Sequence, residues 1–297
     1  MNKLKQLHFI VNPISGKGKS LVTEKLLHTH FPTSEYTIDI QFTKFKKHAI
    51  ELVHEAIQAN TDLIVACGGD GTINEVASQL VNSKIPLGII PQGSGNGLSS
   101  NLKIPRNLDQ ALQVIKNFKV DAIDVGKIND HFFFSNTGIG FDASLIKHYE
   151  LSQKRTLKGY IQAGLTAFFE KKKSEALLVK KDENQFSILP FLIFVSNSNE
   201  MGYRMSITPK ASLQDGLLDV VMIPQTNPIN KVIWSTSLLL KKSHWFQKIQ
   251  TFQTNKIQLE GEEITEFEVQ IDGEFKTLLT KEITIQVLPK SLKILMP

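Results

Sequence analysis

The chain has 297 residues, 41% of them apolar, which is enough to bury a core in one large domain or in two ordinary ones. Its formal net charge of +5 suits an acidic ligand, a nucleic acid or an anionic membrane surface, and does not choose among them. The single cysteine, Cys67, excludes an internal disulfide and fits a reducing compartment, and no apolar run is long enough to span a bilayer.

Strand and helix patterns alternate along the first 125 residues. The sequence predicts apolar strands at 6–12, 62–67 and 86–91, and a half-buried strand of alternating apolar and polar residues at 36–42. It predicts helices at 19–31, 46–59 and 72–81, of which 46–59 is amphipathic. This β-α-β-α repetition predicts an α/β domain built on a parallel sheet.

The pattern changes beyond about residue 125, where short β-rich runs replace the alternation. These runs lie at 131–140, 187–198, 216–223, 256–275 and 282–288, with helical patterns at 157–173 and 229–242. A second, mainly antiparallel domain is therefore predicted. We place the first domain at residues 1–124 and the second at 125–288.

Three predicted strands run directly into loops that contain glycine. The loops are "NPISGKG" (12–18), "CGGDGT" (67–72) and "PQGSGNG" (91–97). Since the carboxyl ends of parallel strands meet at one edge of a sheet, we expect the loops to lie together there. Each precedes a predicted helix, whose free N–H groups and positive dipole end attract phosphate.

The first loop differs from a P-loop although it continues into Gly-Lys-Ser. Pro13 stands where the motif G-x-x-x-x-G-K-[ST] requires glycine. We expect the useful part of this loop at residues 12–16, with residues 18–20 starting the next helix. Neither Lys17 nor Lys19 is assigned the role of the P-loop lysine.

The second loop carries the acidic residue Asp70 among glycines. Gly68, Gly69 and Gly71 would let the backbone approach a ligand closely, and Thr72 is well placed to cap the following helix. A carboxylate at this place would repel phosphates unless a cation such as Mg²⁺ bridges them. The alternative is an Asp-Gly turn whose side chain bonds its own backbone.

These three loops resemble, in order, the N-terminal motifs of the diacylglycerol kinase catalytic-domain family. That family includes bacterial lipid kinases, sphingosine kinases and ceramide kinases. The resemblance continues through "IDVG" (123–126), "NTGIGFDA" (136–143), "PKASLQDGLLDVV" (209–221) and "IDGE" (271–274), and so covers nearly the whole chain. NAD kinases share G-G-D-G-T, but the combination of N-P-x-S-G with D-G-E is more specific.

The resemblance implies an NAD-kinase-like α/β domain and a β-sandwich domain, with ATP bound in the cleft between them. Residues 289–297 would return to the first domain. The implied activity is ATP- and Mg²⁺-dependent phosphorylation of a lipid hydroxyl, diacylglycerol-like or sphingosine-like, within lipid metabolism and phospholipid biosynthesis.

The resemblance also implies roles for individual residues. Glu274 matches the general base that takes the proton from the lipid hydroxyl, and Asp272 would support the Mg²⁺ network alongside Asp70. The residues that would line the nucleotide are Asn12, Pro13, Ser15, Gly16, Thr43, Gly68, Gly69, Gly71, Thr72, Asn74, Glu75, Ser94, Gly95 and Asn96.

A second, structural Mg²⁺ site is implied at Ser212, Asp215 and Leu217. For the segment around Asp272 and Glu274, the residues alone leave two alternatives open. The two carboxylates would share one face if the segment were a strand. Otherwise the segment is an Asp-Gly turn in a solvated hairpin.

One position departs from the family pattern. Many bacterial members have an aspartate after the asparagine of the third loop, whereas here Asn96 is followed by Gly97. Either the chain uses a sphingosine-kinase-like arrangement with fewer carboxylates, which we favour, or it is impaired. The alternatives to a lipid kinase are therefore a nucleotide-binding protein without turnover, and an NAD kinase.

A lipid substrate implies contact with a membrane surface. The segments 152–173 and 234–248 mix lysine with large apolar residues, a composition typical of interfacial helices. For each we favour an ordinary amphipathic helix, packed on the second domain with its lysines in water. We expect a cytoplasmic protein, with any contact at the inner membrane face being peripheral, and no nucleic-acid partner. The sequence does not determine the oligomeric state.

Overall fold

A computed structural model describes residues 4–16, 21–93, 95–152, 156–170, 175–199, 206–239, 248–261 and 266–297. The chain divides into two compact units, Met1–Val125 with Pro289–Pro297, and Gly126–Leu288. In the described residues no helix is long and apolar enough to cross a membrane.

The first unit alternates strands and helices. Its elements are β1 Lys5–Val11, α1 Glu24–His30, β2 Tyr36–Phe42, α2 His48–Gln58, β3 Leu63–Gly68, α3 Asp70–Leu80, β4 Leu87–Pro91, α4 Gly97–Asn101 and α5 Leu108–Asn117. A further strand, β5 Val120–Ile128, begins in this unit and ends in the second.

The sheet of the first unit is parallel, with the strand order β2-β1-β3-β4. At its carboxyl edge Val11 pairs with both Phe42 and Cys67, and Cys67 also pairs with Ile90. The loops that follow β1, β3 and β4 therefore leave the same edge, as predicted. Apolar side chains of these strands form a buried core with α1 and α5.

The helix after the first loop starts later than predicted. Residues 17–20 lie outside the described part of the chain, and α1 begins only at Glu24. Thr23 caps it by accepting a hydrogen bond from the Leu26 amide at 3.3 Å. The expectation that residues 19–23 belong to this helix is therefore wrong for 21–23.

The second unit contains the remaining elements. They are β6 His131–Phe133, β7 Asn136–Gly140, α6 Phe141–Leu151, α7 Leu157–Phe169, β8 Leu177–Lys181, β9 Asn184–Ile188, β10 Pro190–Ser196, β11 Leu218–Pro224, α8 Pro228–Leu239, β12 Gln250–Thr254, β13 Lys256–Gly261, β14 Phe267–Ile271, β15 Glu274–Leu278 and β16 Glu282–Leu295.

Two antiparallel layers build the second unit. One has the strand order β12-β11-β10-β7-β14-β15, and the other contains β9, β8, β13 and the first half of β16. Their inward-facing apolar residues, such as Ile193, Val220, Leu259 and Ile285, form one buried cluster. This confirms the prediction of an α/β domain followed by an antiparallel β-sandwich.

The final strand, β16, begins in the second unit and ends in the first. There Ile294 pairs in parallel with Leu87 of β4, and the Asn82 amide donates to the Ser291 carbonyl. The Lys290 amide donates to Asp124 Oδ1 at 2.7 Å. Residues 289–297 thus complete the sheet edge beside β4.

Candidate active site

Asn12 joins the first loop to the helix that follows the second. Its backbone amide donates to the Cys67 carbonyl at 2.9 Å, and its Nδ2 donates to Thr72 Oγ1 at 3.1 Å. Its Oδ1 accepts from the Ile14 amide at 3.1 Å, which forms an Asx turn through Pro13. Both Nδ2 and Oδ1 of this side chain therefore help to shape the loop.

Ser15 and Gly16 join the first loop to the third. Ser15 Oγ lies 2.7 Å from Gln92 Oε1 and 2.8 Å from the Asn12 carbonyl oxygen. Gly16 has a φ of +68°, and a Cβ there would lie 2.9 Å from the Gln92 carbonyl oxygen. Gln92 was missed by the sequence reasoning, although it stands inside the third glycine motif.

The second and third loops meet through their glycines. A Cβ on Gly93 would lie 2.7 Å from the Gly69 Cα, and one on Gly68 would lie 2.7 Å from the Thr72 Cβ. Such contacts exclude any side chain. The glycines therefore let the backbones of the two loops pack closely together, which is a role beyond the close approach to a ligand expected from the sequence.

Asp70 ties the second loop to the start of α4. Its Oδ2 accepts from the Asn96 amide at 2.8 Å and its Oδ1 from the Gly97 amide at 2.7 Å. Since Asp70 is the first residue of α3, the alternative of a turn that bonds its own backbone is wrong. A Cβ on Gly95 would lie 2.6 Å from Asp70 Oδ2, so that glycine gives the carboxylate its space.

Asn96 closes the third loop on itself. Its Oδ1 accepts from the Gly93 amide at 2.9 Å, and its Nδ2 donates to the Gly93 carbonyl at 2.6 Å. The residue is buried with a φ of +55°, a conformation that asparagine tolerates. Ser94, expected beside the nucleotide, lies outside the described residues.

Thr72 does not cap α3, contrary to the sequence expectation. The helix begins at Asp70 with Gly69 as its N-cap, and no side chain caps it. Thr72 is therefore already in the first turn, where its buried hydroxyl accepts from Asn12. Gly71, also in this turn, is exposed.

The other expected nucleotide residues lie around the same edge. Thr43 directly follows β2, and its amide donates to the Val11 carbonyl at 2.9 Å. Glu75 Oε1 accepts from the Lys47 amide at 3.0 Å, which fixes the start of α2. Asn74 Oδ1 accepts from Ser78 Oγ at 3.3 Å, within α3.

In the second unit, Asp272 and Gly273 form the two-residue turn between β14 and β15. Their φ values are +48° and +80°, and the flanking residues Ile271 and Glu274 pair with each other. These values are typical of a type I′ hairpin. The two carboxylates therefore do not lie on one face of a continuous strand, as the strand alternative required.

The Asp272 carboxylate binds backbone rather than pointing freely into solvent. It accepts from the amides of Phe134 and Ser135 at 2.8 Å each and from that of Asn136 at 3.1 Å. The turn is thereby tied to the start of β7. Glu274, the first residue of β15, is half-buried.

A buried polar network lies behind this turn. Gln270 Nε2 donates to Asn136 Oδ1 and to Asp142 Oδ2, both at 2.7 Å, while its Oε1 accepts from the Gly273 amide at 2.9 Å. Burial raises the pKa of Asp142 to about 6, and the Gln270 hydrogen bond opposes that rise. Gln270 and Asp142 were not among the expected site residues.

The expected structural metal site lies in the loop before β11. Asp215 Oδ1 accepts from the Leu217 amide at 3.1 Å, and Ser212 Oγ from the Gln214 amide at 3.2 Å. Gln253 Nε2 lies 3.4 Å from Asp215 Oδ2 and 3.1 Å from Asp219 Oδ2. Burial, with the Asp215 charge as a smaller cause, raises the pKa of Asp219.

The donor chemistry of these places fits Mg²⁺. Among the described residues no three His, Cys, Asp or Glu side chains gather to hold a metal ion. Mg²⁺ in phosphate-transfer sites is usually bound by one or two carboxylates with substrate phosphates and water, so such a cluster is not required. Asp70 and Asp272 supply carboxylate oxygens of this kind. A carboxylate offers about four lone pairs, and backbone amides donate two hydrogen bonds to Asp70 and three to Asp272.

The two halves of the chain each match a known domain. Residues 6–128 match the diacylglycerol kinase catalytic domain, and residues 136–296 match the YegS C-terminal NAD kinase beta sandwich-like domain. The chain belongs to the family of diacylglycerol kinases and YegS-like lipid kinases. This confirms the family resemblance carried by the three loops and the late Asp-Gly-Glu.

Relatives align with most or all of this chain. A diacylglycerol kinase of Bacillus subtilis is 28% identical, covering 94% of this chain and 93% of the relative. A protein of Pectobacterium atrosepticum named "Probable lipid kinase YegS-like" is 27% identical over 88% of this chain and 87% of its own. An uncharacterized protein of Synechocystis is 29% identical over 100% of this chain and 71% of its own.

Solved structures share the fold. The crystal structure of a diacylglycerol kinase from Bacillus anthracis has a TM-score of 0.71 at 23% identity, covering 100% of this chain and 98% of that one. A second structure from that organism reaches a TM-score of 0.78 at 24% identity, covering 100% and 99%. At these identities the likeness establishes the fold alone.

Proposed function

We propose that this protein transfers the γ-phosphate of ATP to the hydroxyl of a diacylglycerol-like or sphingosine-like lipid, with Mg²⁺ as cofactor. The observation that supports this most is the set of three joined loops at the edge of the first unit, in a chain of a kinase family. The name of the Bacillus subtilis relative, a diacylglycerol kinase, favours a lipid alcohol as acceptor.

The three loops would hold the ATP phosphates. The direct contacts between Gly69 and Gly93, and the bonds made by Asn12 and Asp70, fix the backbone before any ligand arrives. A preformed loop loses little conformational entropy on binding, which favours affinity. The residues inferred from the resemblance, including Thr43 and Glu75, lie at this edge and are proposed as its nucleotide-binding set.

Asp70 and Asp272 are proposed to join the Mg²⁺ network. When bound, Mg²⁺ would neutralise the negative charge that develops on the phosphate groups during transfer. The two carboxylates also organise backbone, since they accept two and three amide hydrogen bonds respectively. The loop with Ser212, Asp215 and Leu217 is proposed as a second, structural Mg²⁺ site.

Glu274 is proposed as the general base that takes the proton from the lipid hydroxyl. Proton transfer of this kind needs a carboxylate held in place close to the attacking oxygen. The preceding turn is held by three hydrogen bonds to Asp272 and one to Gln270, and this fixes the backbone on which Glu274 stands.

A purified-protein screen tests the reaction. With labelled ATP and Mg²⁺, the acceptors diacylglycerol, monoacylglycerol, sphingosine, ceramide, phosphatidylglycerol and NAD are offered separately. We expect label in at least one lipid. Label in NAD alone would establish an NAD kinase instead, and ATP binding without transfer to any acceptor would establish a family member without turnover.

Replacing Glu274 with glutamine tests the base. We expect turnover to fall by about 10²- to 10⁴-fold, the usual contribution of general-base catalysis. ATP affinity, measured by calorimetry, should stay unchanged. Glu183→Gln, a matched change in the exposed turn between β8 and β9, should leave both unaffected. Retained turnover in Glu274→Gln would exclude this role.

A further inference from the structure

Helix α7 presents three large apolar side chains to solvent. Ile161, Leu165 and Phe169 are 56%, 58% and 75% exposed and recur every four residues. Residues at this spacing lie on one face of a helix, and Lys158 is exposed on the same face. We name these four residues the α7 stripe.

The opposite face of α7 packs on the second unit through small residues. Ala163 and Ala167 are buried, and a Cβ on Gly164 would lie 3.6 Å from Leu145 of α6. Tyr160 and Phe168 of the same helix are partly buried and also pack against apolar clusters of this unit. Helix α7 therefore packs on the second unit as an amphipathic helix does, but it also leaves Ile161, Leu165 and Phe169 exposed.

An exposed apolar surface of this kind usually marks a place of contact. The surrounding sequence is basic: residues 152–173 contain six lysines and arginines and one acidic residue, Glu170. Glu170 is itself engaged, because its Oε2 accepts from Ser144 Oγ and lies 3.3 Å from His148 Nε2. Within the sequence 152–173, basic residues therefore outnumber acidic ones by six to one.

We infer that the α7 stripe docks into the surface of an anionic phospholipid bilayer. A helix with apolar residues on one face and lysines beside them lies in the plane of the interface, with its apolar side chains among the acyl chains. The charge favours this partner over a second copy of the chain. Two copies meeting here would bring like charges together, whereas an anionic surface neutralises them.

This inference rests on the proposed function, because a kinase of membrane lipids must meet its substrate at a bilayer. It goes further by assigning the contact to one helix. Helix α8 also exposes Ile229, Val232 and Ile233, but its Lys231 lies 4.7 Å from the centroid of the Phe191 ring. Lys231, the one lysine or arginine in the described part of α8, thus already makes a cation–π contact.

The test is co-sedimentation of the full chain with phosphatidylcholine vesicles, with and without phosphatidylglycerol, in the absence of ATP. We expect wild-type binding to need phosphatidylglycerol and to weaken as salt is added. Leu165→Asp and Phe169→Asp should each weaken binding about tenfold or more, since each removes one large side chain from the apolar phase.

Matched variants separate this face from general effects. Leu279→Asp makes the same kind of change at a residue that is 83% exposed in the loop after β15, and should not alter binding. Lys158→Glu should weaken binding, whereas Lys116→Glu, at an exposed position of helix α5, should not. Circular dichroism confirms that each variant is folded.

Three outcomes would overturn the inference. The first is unchanged vesicle binding in Leu165→Asp and Phe169→Asp, and the second is loss of binding in Ile229→Asp alone. The third is a wild-type dimer that becomes monomeric in Leu165→Asp with vesicle binding intact. Turnover on a water-soluble short-chain form of the lipid that the acceptor screen labels keeps the two proposals apart. If no lipid in that screen is labelled, the kinase is contradicted, and if turnover persists in Leu165→Asp, docking is separate from catalysis.

Discussion

Asp70 connects two loops through backbone amides 26 and 27 residues away. Sequence reasoning assigned this carboxylate to a metal, but hydrogen bonds across loops leave no trace in periodicity. These hydrogen bonds depend on how the loops are arranged in three dimensions. The residue is therefore both a proposed ligand and an organiser of the third loop.

We predict that Asp70→Asn lowers stability even without ligands. Asparagine has one acceptor oxygen, so one amide now faces an NH₂ group and loses a charge-assisted bond, at a cost of about 1.5–3 kcal/mol. Urea unfolding without ATP and Mg²⁺ measures this, and turnover should be lost as well. The control Asp130→Asn, in an exposed turn, should be neutral. A variant as stable and active as wild type would refute both roles.

Asp142 makes stability depend on pH. Its pKa is raised to about 6 by burial, from about 4 in an unfolded chain. Between these values the folded state binds more protons, so the contribution of Asp142 to stability falls as pH rises. A pKa difference of about two units between the folded and the unfolded chain changes the free energy of unfolding by roughly 3 kcal/mol across this pH range.

We predict that Asp142→Asn removes this dependence. Asparagine keeps an oxygen to accept from Gln270 Nε2 and cannot ionise. Relative to wild type, the variant should gain stability between pH 4 and pH 7, by about 3 kcal/mol at most. Thermal unfolding at several pH values measures the gain. A difference that stays constant with pH would show that Asp142 does not titrate in this range.

At the scale of elements, the hairpin β14–β15 shows why local geometry matters to the proposed base. Its turn places a residue of positive φ directly before Glu274. The sequence alone suggested this turn as one of two alternatives, because Asp-Gly favours a type I′ hairpin. The hydrogen bonds from the amides of residues 134–136 to Asp272 could not be predicted, since those residues lie more than 130 positions away.

We predict that Gly273→Ala strains this turn without a clash. Gly273 has a φ of +80° and open space where a Cβ would stand. Alanine should therefore lose about 1–2 kcal/mol to backbone strain alone, seen as a lower thermal midpoint. Gly164→Ala, a matched change inside α7, should be neutral or stabilising. Equal effects of the two variants would contradict the argument.

Some elements were predicted from the sequence and two helices were not, for physical reasons. Strands β1, β3 and β4 were predicted because each is a buried apolar run, and β2 was predicted from its alternation of apolar and polar residues. Helix α5 was overlooked although Asn107 caps it by accepting from the Gln110 amide. Helix α6 begins directly after β7, with Gly140 as its N-cap and no capping side chain, so the sequence shows no signal for the start of a helix there. Hydrophobic periodicity thus predicted which edge of the sheet carries the candidate site, whereas only the structure shows the hydrogen bonds that shape its loops.

At the scale of the whole molecule, β16 makes the first unit depend on the end of the chain. Ile294 is fully buried and pairs with Leu87. We predict that Ile294→Ala lowers the stability of this unit by about 2–5 kcal/mol, the usual cost of emptying such a site. Urea unfolding followed by circular dichroism measures it. Lys293→Ala, one residue away and exposed, should cost little, and similar losses in both would contradict a packing role for Ile294.

The fully buried thiol at the end of β3 gives the molecule a built-in pair of reporters. Cys67 is the only cysteine of the sequence and lies in the first unit, while Trp234, one of two tryptophans, is buried in the second. Burial also raises the pKa of the thiol, so it reacts only when the sheet around it opens. Thiol labelling therefore times the opening of one unit while tryptophan fluorescence follows the other, in the unmodified chain.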